Sequence, residues 1–476
     1  MKYNFKKFIA MGLVLSNFMT VSAFADVIDI EKEREALLQA RPLSDEKIED
    51  KNENEEYTKC TIYIVGDSTA CEYGYDENYA IPREGWGMHI ADYFDSDYIN
   101  VVDLALGGRS SKSFTKEENY QKLKDNLQKG DILLIQFGHN DQKKSTEEDL
   151  QNRYTNPEGD KETEGSFQKS LYDNYIKLAE EKGATPVLIS PISRRKFDEN
   201  GKIVDTHGLY DDAVRELAED TGVFFIDATK ETEEIYNEFG EDFTEIFHAA
   251  YKDVSKGIDN THLSKFGAKL VATMIALKID GLFEYKLPDE LKYENLTRGQ
   301  YINDIMRVMG QDKGDVTDTG FKDVPVSYKY SAAIANAKKM GIVNGDENGC
   351  FKPDENIMVY DAVVIFMRAL KFNGIECPEV DTEDVSKIKN YIKEMNVPEY
   401  TKPSLMELVD LASSRLESNR RDLILFLGYE QFYEEKVPDS YQDVLLAPLY
   451  ELISEKENAE VVEQDINELE KVETTK

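Results

Sequence analysis

The sequence predicts an α/β fold built on a parallel sheet, followed by a second, mainly α-helical domain. Between residues 61 and 279, short β-branched runs alternate with amphipathic helical stretches, a pattern typical of a parallel sheet covered on both faces. After about residue 294 the strand pattern stops, and helices separated by Gly, Pro and Asp turns follow. A chain of 476 residues also has room for two or three domains of about 150 residues each.

The elements of the first domain follow from this periodicity. Buried β-branched runs predict strands at 61–65, 101–105, 132–137, 186–190 and 223–227. Amphipathic spacing predicts helices at 87–94, 118–127, 166–182, 208–221 and 265–279. Because ligands of parallel α/β sheets bind beyond the carboxyl ends of the strands, we expect the chemistry to follow a strand directly.

The amino terminus has the pattern of a secretory signal peptide over residues 1–25. Three lysines precede an apolar run over 8–21, and Ala23-Phe24-Ala25 is a small-residue cleavage site. An acidic leader is predicted at 26–56, the sheet domain at 57–285, the helical domain at 294–420 and a helical, acidic tail at 421–476. No later segment approaches about 18 uninterrupted apolar residues, so we expect a secreted protein without membrane insertion.

Charge and cysteine spacing exclude several classes of protein. The formal net charge is −37, and it becomes −40 without the signal peptide, which carries three lysines and no acid. Nucleic acid is therefore not an expected partner, because phosphate binding needs a cationic face. The four cysteines lack zinc-site spacing, and we expect no metal and no cofactor. They are either buried thiols or, for Cys60 and Cys71, a disulfide bridge, and the sequence leaves both open.

Four short motifs lie at predicted strand ends or at a helix start. Ser68 sits in the turn after the first strand, where its hydroxyl and the backbone N–H groups can face an incoming ligand. An amide such as Asn140 can donate to a developing oxyanion. Asp259 precedes His262 by three residues in a predicted turn, so its carboxylate can orient the imidazole as a base. The motifs are Gly66-Asp67-Ser68-Thr69, the segment 106–114 with Gly107-Gly108-Arg109, Gly138-His139-Asn140-Asp141 and Asp259-Asn260-Thr261-His262.

Each motif alone is also compatible with an ordinary cap or tight turn. Together, and with Gly85-Trp86-Gly87, they resemble the SGNH or GDSL-type hydrolases, and within them the rhamnogalacturonan acetylesterase group, over about residues 57–283. The resemblance implies a flavodoxin-like three-layer fold without a metal. It implies Ser68 as nucleophile, Asp259 and His262 as its partners, and an oxyanion hole of Ser68, Gly108 and Asn140. Gly108 is chosen over Gly107 because the glycine of the family directly precedes the Arg-Ser pair.

The resemblance implies a serine esterase that removes acetyl groups from a polysaccharide, with pectic rhamnogalacturonan as the first candidate. Deacetylation of the cell's own wall polymer or of xylan remains an alternative. A carbohydrate-binding protein without turnover is a further alternative, but the intact set of Ser68, Asp259 and His262 argues against it. Among the other histidines, His139 is expected to be structural, and His207 and His248 are candidates to line a substrate groove.

The helical domain contains a repeat unit of about 50 residues that begins near Phe321 and includes the predicted helix 330–340. It resembles an S-layer homology repeat, and 296–309 and 400–416 resemble partial copies. The resemblance implies binding of an anionic secondary cell-wall polysaccharide, and the motif positions select Arg298 and Lys402. The copies depart from the family pattern, so a purely structural or protein-binding role is the alternative.

Overall fold

The computed structural model describes residues 60–94, 96, 98–241, 243–283, 295–395, 397–415 and 446–456. The expected signal peptide, the acidic leader and most of the expected tail lie outside these residues. The chain divides into two compact units. The first contains 84–241 with the segments before 75 and after 259, and the second contains 75–83, 242–259 and the helical region. Two short segments inside the predicted 57–285 domain thus belong to the helical unit.

The strands of the described chain form two sheets. They are β1 (Cys60–Gly66), β2 (Tyr79–Ile81), β3 (Ile99–Asp103), β4 (Ile132–Gln136), β5 (Thr185–Ile189), β6 (Phe224–Ile226), β7 (His248–Tyr251) and β8 (Ile258–Leu263). A five-stranded parallel sheet has the order β3-β1-β4-β5-β6, and a three-stranded sheet has the order β2-β7-β8. The five predicted strands form the parallel sheet, which confirms the predicted α/β class.

Side chains on the two faces of the parallel sheet enter two separate cores. Along β1, Ile62 and Ile64 belong to one apolar cluster, and Tyr63 and Val65 belong to the other. This alternation follows from the two-residue period of a strand. Both faces are therefore covered, as expected for three layers.

The helices lie mainly where the periodicity predicts them. They are α1 (Glu118–Asn126), α2 (Glu147–Asn152), α3 (Phe167–Leu171), α4 (Lys177–Lys182), α5 (Leu209–Thr221), α6 (Ala228–Phe239), α7 (Lys265–Phe283), α8 (Arg298–Val308), α9 (Ser331–Lys339), α10 (Val359–Phe372), α11 (Glu383–Glu394) and α12 (Lys402–Arg415). Residues 446–456 are also helical.

Several local predictions differ from the structure. The expected helix 87–94 is two short 3-10 turns, Trp86–Met88 and Ile90–Tyr93, and the expected helix 166–182 contains a π turn at Tyr172–Ile176. The Asp259-to-His262 segment lies on strand β8 instead of in a turn. Short strands such as β2 have too few residues to show a period of their own, and for this reason they escaped prediction.

The helical region begins with a well-capped helix. The Thr297 side chain accepts a hydrogen bond from the Gln300 N–H, and the Gln300 side chain accepts one from the Thr297 N–H. This capping box satisfies two amide groups at the start of α8. None of the described helices is long and apolar enough to cross a membrane.

Candidate active site

Ser68 lies in a tight turn directly after β1, at the carboxyl edge of the parallel sheet. The N–H groups of Ala70 and Cys71 donate to the Asp67 carbonyl over 3.3 and 3.2 Å. The Asp67 carboxylate also accepts hydrogen bonds from the backbone and the hydroxyl of Thr69, both at 3.0 Å. Ser68 itself is half-buried. The turn is thus held by its neighbours, and Ser68 stays partly accessible.

The Gly85-Trp86-Gly87 segment contacts this turn through backbone hydrogen bonds. Trp86 and Gly87 donate their N–H groups to the carbonyls of Thr69 and Ala70, both at 3.0 Å. A Cβ atom on Gly87 would lie 2.6 Å from the Ala70 carbonyl oxygen, and one on Gly85 would lie closer still to the same backbone. Only glycine permits this approach, which explains the two glycines around Trp86.

A buried glutamine connects the turn that contains Ser68 to the neighbouring strands. The Gln136 Oε1 atom accepts hydrogen bonds from Trp86 Nε1 at 2.8 Å and from Thr69 Oγ1 at 3.0 Å. Its amide nitrogen donates to the Ser190 carbonyl at the end of β5. The sequence alone does not indicate this role of Gln136, because the role depends on contacts between distant segments.

The loops after β3 and β4 meet near Ser68. A Cβ atom on Gly107 would lie 3.8 Å from the Ser68 Cβ, whereas Gly108, at φ +78°, has open space around the same position. The Asn140 side chain is buried, and its amide nitrogen donates to the Arg109 carbonyl at 3.1 Å. The structure therefore brings Ser68, the loop with Gly107 and Gly108, and Asn140 together.

Asp141 connects the same two loops. Its carboxylate accepts hydrogen bonds from the Ser111 N–H at 3.1 Å, the Ser111 hydroxyl at 2.5 Å and the Thr155 hydroxyl at 3.0 Å. Burial raises the pKa of Asp141 to about 7. The position of Asn140 thus depends on its neighbour Asp141, to which the sequence alone assigns no role.

His262 is half-buried on β8, and Tyr73 contacts both its ring and the turn that contains Ser68. The two aromatic rings meet edge to face with centroids 6.3 Å apart. The Tyr73 hydroxyl donates to the Ser68 carbonyl at 2.7 Å. Tyr73 was not predicted, because no sequence signal distinguishes it from other tyrosines.

Asp259 is buried on the same strand, three residues before His262. Its Oδ2 atom accepts hydrogen bonds from the hydroxyls of Tyr79 at 2.8 Å and Tyr251 at 2.9 Å. Burial, together with the neighbouring carboxylate, raises the pKa of both tyrosines, so both hydroxyls keep their protons and donate. The sequence alone predicted no role for these two tyrosines.

His139 is buried next to Asp67, which precedes Ser68 in its turn. Its Nδ1 atom is 3.3 Å from Asp67 Oδ2, and its ring meets His207 edge to face at 4.5 Å. Burial lowers the pKa of His139. Burial opposes the ionisation of Asp67, but His139 and the Thr69 donors outweigh it and lower the pKa of Asp67. His207 and His248 are buried as well, so neither is accessible enough to line an open groove.

Arg298 lies on a pocket of about 610 Å³ within the helical region. Its guanidinium pairs with Asp361 at 2.9 Å and donates to the Phe351 carbonyl at 3.0 Å. Lys352 and Arg368 add two further cations to the lining, and Tyr360 and Tyr400 contribute aromatic rings.

Lys402 does not line this pocket. Its ammonium contacts the Glu399 carboxylate at 2.5 Å and the Lys393 carbonyl at 2.9 Å, and its side chain is 12% exposed. The sequence position suggested a binding role for Lys402, but its side chain lies outside the pocket and, like that of Arg298, is engaged in an ion pair. Lys402 and Arg298 are therefore placed differently, although both stand at a helix start.

The cysteines and acidic groups of the described residues form no metal site or disulfide. All four cysteines are free thiols, so the Cys60-to-Cys71 bridge that the sequence left open is absent. Burial raises the pKa of the Cys71 thiol to about 12. Across the described ranges, no group of three or more His, Cys, Asp or Glu side chains could hold a metal ion.

Family models and known proteins match the two parts of the chain separately. Residues 62–275 match the family described as GDSL-like lipase/acylhydrolase, and residues 320–357 match the S-layer homology domain. The rhamnogalacturonan acetylesterase RhgT of Bacillus subtilis (strain 168) is 37% identical over 236 residues, which cover 48% of this chain and 91% of that protein.

Two further matches are to proteins of the same organism. The probable rhamnogalacturonan acetylesterase YesY of Bacillus subtilis (strain 168) is 35% identical over 228 residues, covering 48% of this chain and 94% of that protein. The crystal structure of protein YXIM_BACsu aligns with a TM-score of 0.39 and 25% identity, covering 48% of this chain and 58% of that chain. The match to RhgT over nearly its full length, together with the family model from β1 to α7, shows that this chain belongs to the GDSL-like lipase/acylhydrolase family, a family of ester hydrolases, and that an S-layer homology domain follows at 320–357.

Proposed function

We propose that this chain is an exported serine esterase that removes acetyl groups from a polysaccharide, with Ser68 as nucleophile and His262 as its base. The observation that carries the proposal is the meeting of Ser68 with the Gly107-Gly108 loop and Asn140, and the bridge from Ser68 through Tyr73 to His262. A nucleophile, a base and oxyanion donors are the three parts that acyl transfer needs.

In the proposed reaction, the Ser68 hydroxyl attacks the ester carbonyl carbon while His262 accepts its proton. His262 then gives this proton to the departing sugar hydroxyl, and an acetyl ester of Ser68 remains. Water attacks the acetyl-enzyme, again with His262 as base, and acetate leaves as Ser68 recovers its proton. Asp259 orients His262 and stabilises its charged form, a role supported by the burial of its carboxylate.

The developing oxyanion is proposed to accept hydrogen bonds from the N–H groups of Ser68 and Gly108 and from the Asn140 amide. Asn140 uses one donor on the Arg109 carbonyl, and a primary amide has a second N–H. The hydrogen bond to the Arg109 carbonyl orients the Asn140 amide and therefore also sets the direction of its second N–H. Such preorganised donors act mainly on the transition state.

Pectic rhamnogalacturonan is the proposed polymer, because two similar proteins are named rhamnogalacturonan acetylesterases. The direct test is acetate release from acetylated rhamnogalacturonan, acetylated xylan and acetylated wall polymer, with the Ser68→Ala variant as the control on each. We expect the highest turnover on rhamnogalacturonan. Higher turnover on xylan or wall polymer would support the alternative substrates. Binding of a polymer without acetate release would support the non-catalytic alternative.

The helical region is proposed to hold the enzyme at the cell surface after export by the signal peptide. The support is the S-layer homology match together with the pocket that contains Arg298, Lys352 and Arg368. The chain is strongly acidic, so its net field repels an anionic polymer, and these cations must act at short range. All three line the pocket, whereas Lys402 lies outside it.

Co-sedimentation of the purified full-length protein with cell walls tests this anchoring role. We expect the protein to sediment with walls that keep their secondary polysaccharide and to remain in the supernatant with walls stripped of it. Equal recovery in the supernatant with both preparations would support the structural alternative for the helical region.

A further inference from the structure

Two strands outside the parallel sheet hold the carboxylate of Asp259. Tyr79 on β2 and Tyr251 on β7 both donate their hydroxyl protons to Asp259 Oδ2. The two rings also contact each other, with centroids 4.6 Å apart. Because β2 and β7 pair in antiparallel fashion, the position of one tyrosine depends on the other. A side chain that holds the backbone of β2 in place therefore also affects the position of the Asp259 carboxylate.

Such a group is Arg307, near the end of helix α8 in the helical region. Its Nε atom donates to the Tyr79 carbonyl at 2.9 Å, and its Nη2 atom donates to the Asp76 carbonyl at 2.6 Å. Its guanidinium lies 4.5 Å from the centre of the Tyr75 ring. Arg307 is only 6% exposed. The Arg307 side chain thus binds the backbone of β2 and of the segment that precedes it.

The geometry suits arginine in particular. A guanidinium presents several N–H donors in a rigid plane and keeps its charge when buried, so it can bind two carbonyls at once. A lysine ammonium at this position can reach fewer acceptors in a fixed direction. Removing the guanidinium takes one donor from each of the two carbonyls, and the buried Tyr79 backbone has to move to replace it.

The loop after α8 adds further contacts to the same segment. Asp312 accepts a hydrogen bond from the Tyr75 hydroxyl at 3.0 Å, and Lys313 pairs with Glu77 at 3.1 Å. These contacts are more exposed than those of Arg307, so each contributes less to holding the strand. Together they show that residues 75–79 pack on α8 and its following loop.

We propose that Arg307 of helix α8 is a positioning residue that acts through Tyr79 on Asp259. The inference rests on the proposed role of Asp259 in orienting His262. The helical region then has two tasks, since α8 carries Arg298 at its first turn and Arg307 at its last.

The test is a double-mutant cycle in the full-length protein, with p-nitrophenyl acetate as the probe. Asp259→Asn alone is expected to lower kcat by about 10⁴-fold. Arg307→Met alone is expected to lower kcat by about 10- to 100-fold with KM nearly unchanged, because a misplacement of about 1 Å has effects of that size. Arg307→Lys should recover part of this loss. Arg415→Met, an exposed arginine of α12, is the matched control.

The combination of Arg307→Met with Asp259→Asn decides the mechanism. If Arg307 acts through Asp259, adding Arg307→Met to the Asp259→Asn variant lowers kcat by less than about twofold. A full additional loss would mean that Arg307 supports the fold in general and would overturn the proposal. Tyr79→Phe provides a second variant that needs no repacking of α8, and its loss should likewise vanish in the Asp259→Asn background.

The proposed function can fail independently of this inference. Absence of acetate release by the wild-type protein, or full activity of Asp259→Asn, would contradict the role of Asp259 in catalysis. Normal kcat in a folded Arg307→Met protein, with Asp259→Asn inactive, would contradict only the link to α8. The thermal midpoint of each variant shows whether it is folded.

Discussion

The sheet edge around Ser68 and the pocket around Arg298 both present polar groups, but they are built in opposite ways. At the sheet edge, backbone groups and glycines pack so closely that a Cβ atom on Gly87 would collide with a carbonyl. In the pocket, a charged side chain is already neutralised, since Arg298 pairs with Asp361. The first arrangement is rigid and prepares donors before a substrate arrives. The second can exchange one anionic partner for another.

This difference agrees with the roles proposed for the two regions. A transition state exists only briefly, so its donors must be in place beforehand, in surroundings that exclude water. A polymer anchor requires equilibrium affinity only, and a partly exposed ion pair can be replaced by an anion of the ligand with little net change. Changes at the sheet edge should therefore affect turnover, and changes in the pocket should affect binding.

The largest effect is expected for Ser68→Ala. Removing the nucleophile should lower kcat on a small acetyl ester by about 10⁴-fold or more, because the nucleophile and its base act as a unit. The thermal midpoint and wall binding should stay the same. Kinetics, calorimetry and co-sedimentation of the same preparation measure the three properties. Activity within about tenfold of the wild type would contradict the assignment of Ser68.

Asn140→Ala should have the next largest effect. The loss of one oxyanion donor is expected to lower turnover by about 10²–10³-fold and to change KM little. Steady-state kinetics with one substrate over a wide concentration range separates the two constants. A rise in KM at constant kcat would instead make Asn140 a residue that binds the ground state of the substrate.

Arg298→Ala should weaken wall binding by about tenfold, the effect of losing one charged hydrogen bond. Lys402→Ala is the matched comparison, because both cations stand at helix starts but only Arg298 lines the pocket. Binding isotherms with purified walls give both values. A larger loss for Lys402→Ala would reverse the distinction between the two positions and point to a surface outside the pocket.

The smallest effect concerns the pH dependence of stability, which we expect at the sheet edge. Burial raises the pKa of Asp103 to about 7, and its solvent-inaccessible Oδ2 atom has no hydrogen-bond partner among the described residues. The folded protein keeps this proton where the unfolded chain has already lost it. The contribution of Asp103 to stability is thus full below the pKa of about 4 in the unfolded chain, and it is lost as pH rises to about 7.

Asp103→Asn should remove this dependence, because an amide does not ionise. Relative to the wild type, the variant should have a higher thermal midpoint at pH 8 and a nearly unchanged one at pH 4, because only the wild-type carboxyl has to ionise at the higher pH. Thermal unfolding at the two pH values provides the measurement. An equal gain at both pH values would assign the effect to packing and not to ionisation.

The sequence by itself was sufficient for the parallel sheet and for the motifs that follow its strands. Strands β1 and β4 are runs of apolar residues, and that pattern depends on local composition alone. Ser68 and Asn140 were found because the carboxyl ends of parallel strands share one edge. The start of α8 also depends on local sequence, since its capping box spans only four residues.

The tertiary structure decided which distant side chains support these groups. Tyr79, Tyr251 and Arg307 lie far apart in the chain, and nothing in their neighbours along the sequence indicates that they meet at or near Asp259. The strand β2 that brings them together is too short to show periodicity. Lys402 and Arg298 have similar sequence surroundings, yet one is held by an adjacent glutamate and the other faces a pocket. A hydrogen bond between distant segments depends on packing of the whole unit, and only the folded chain contains that information.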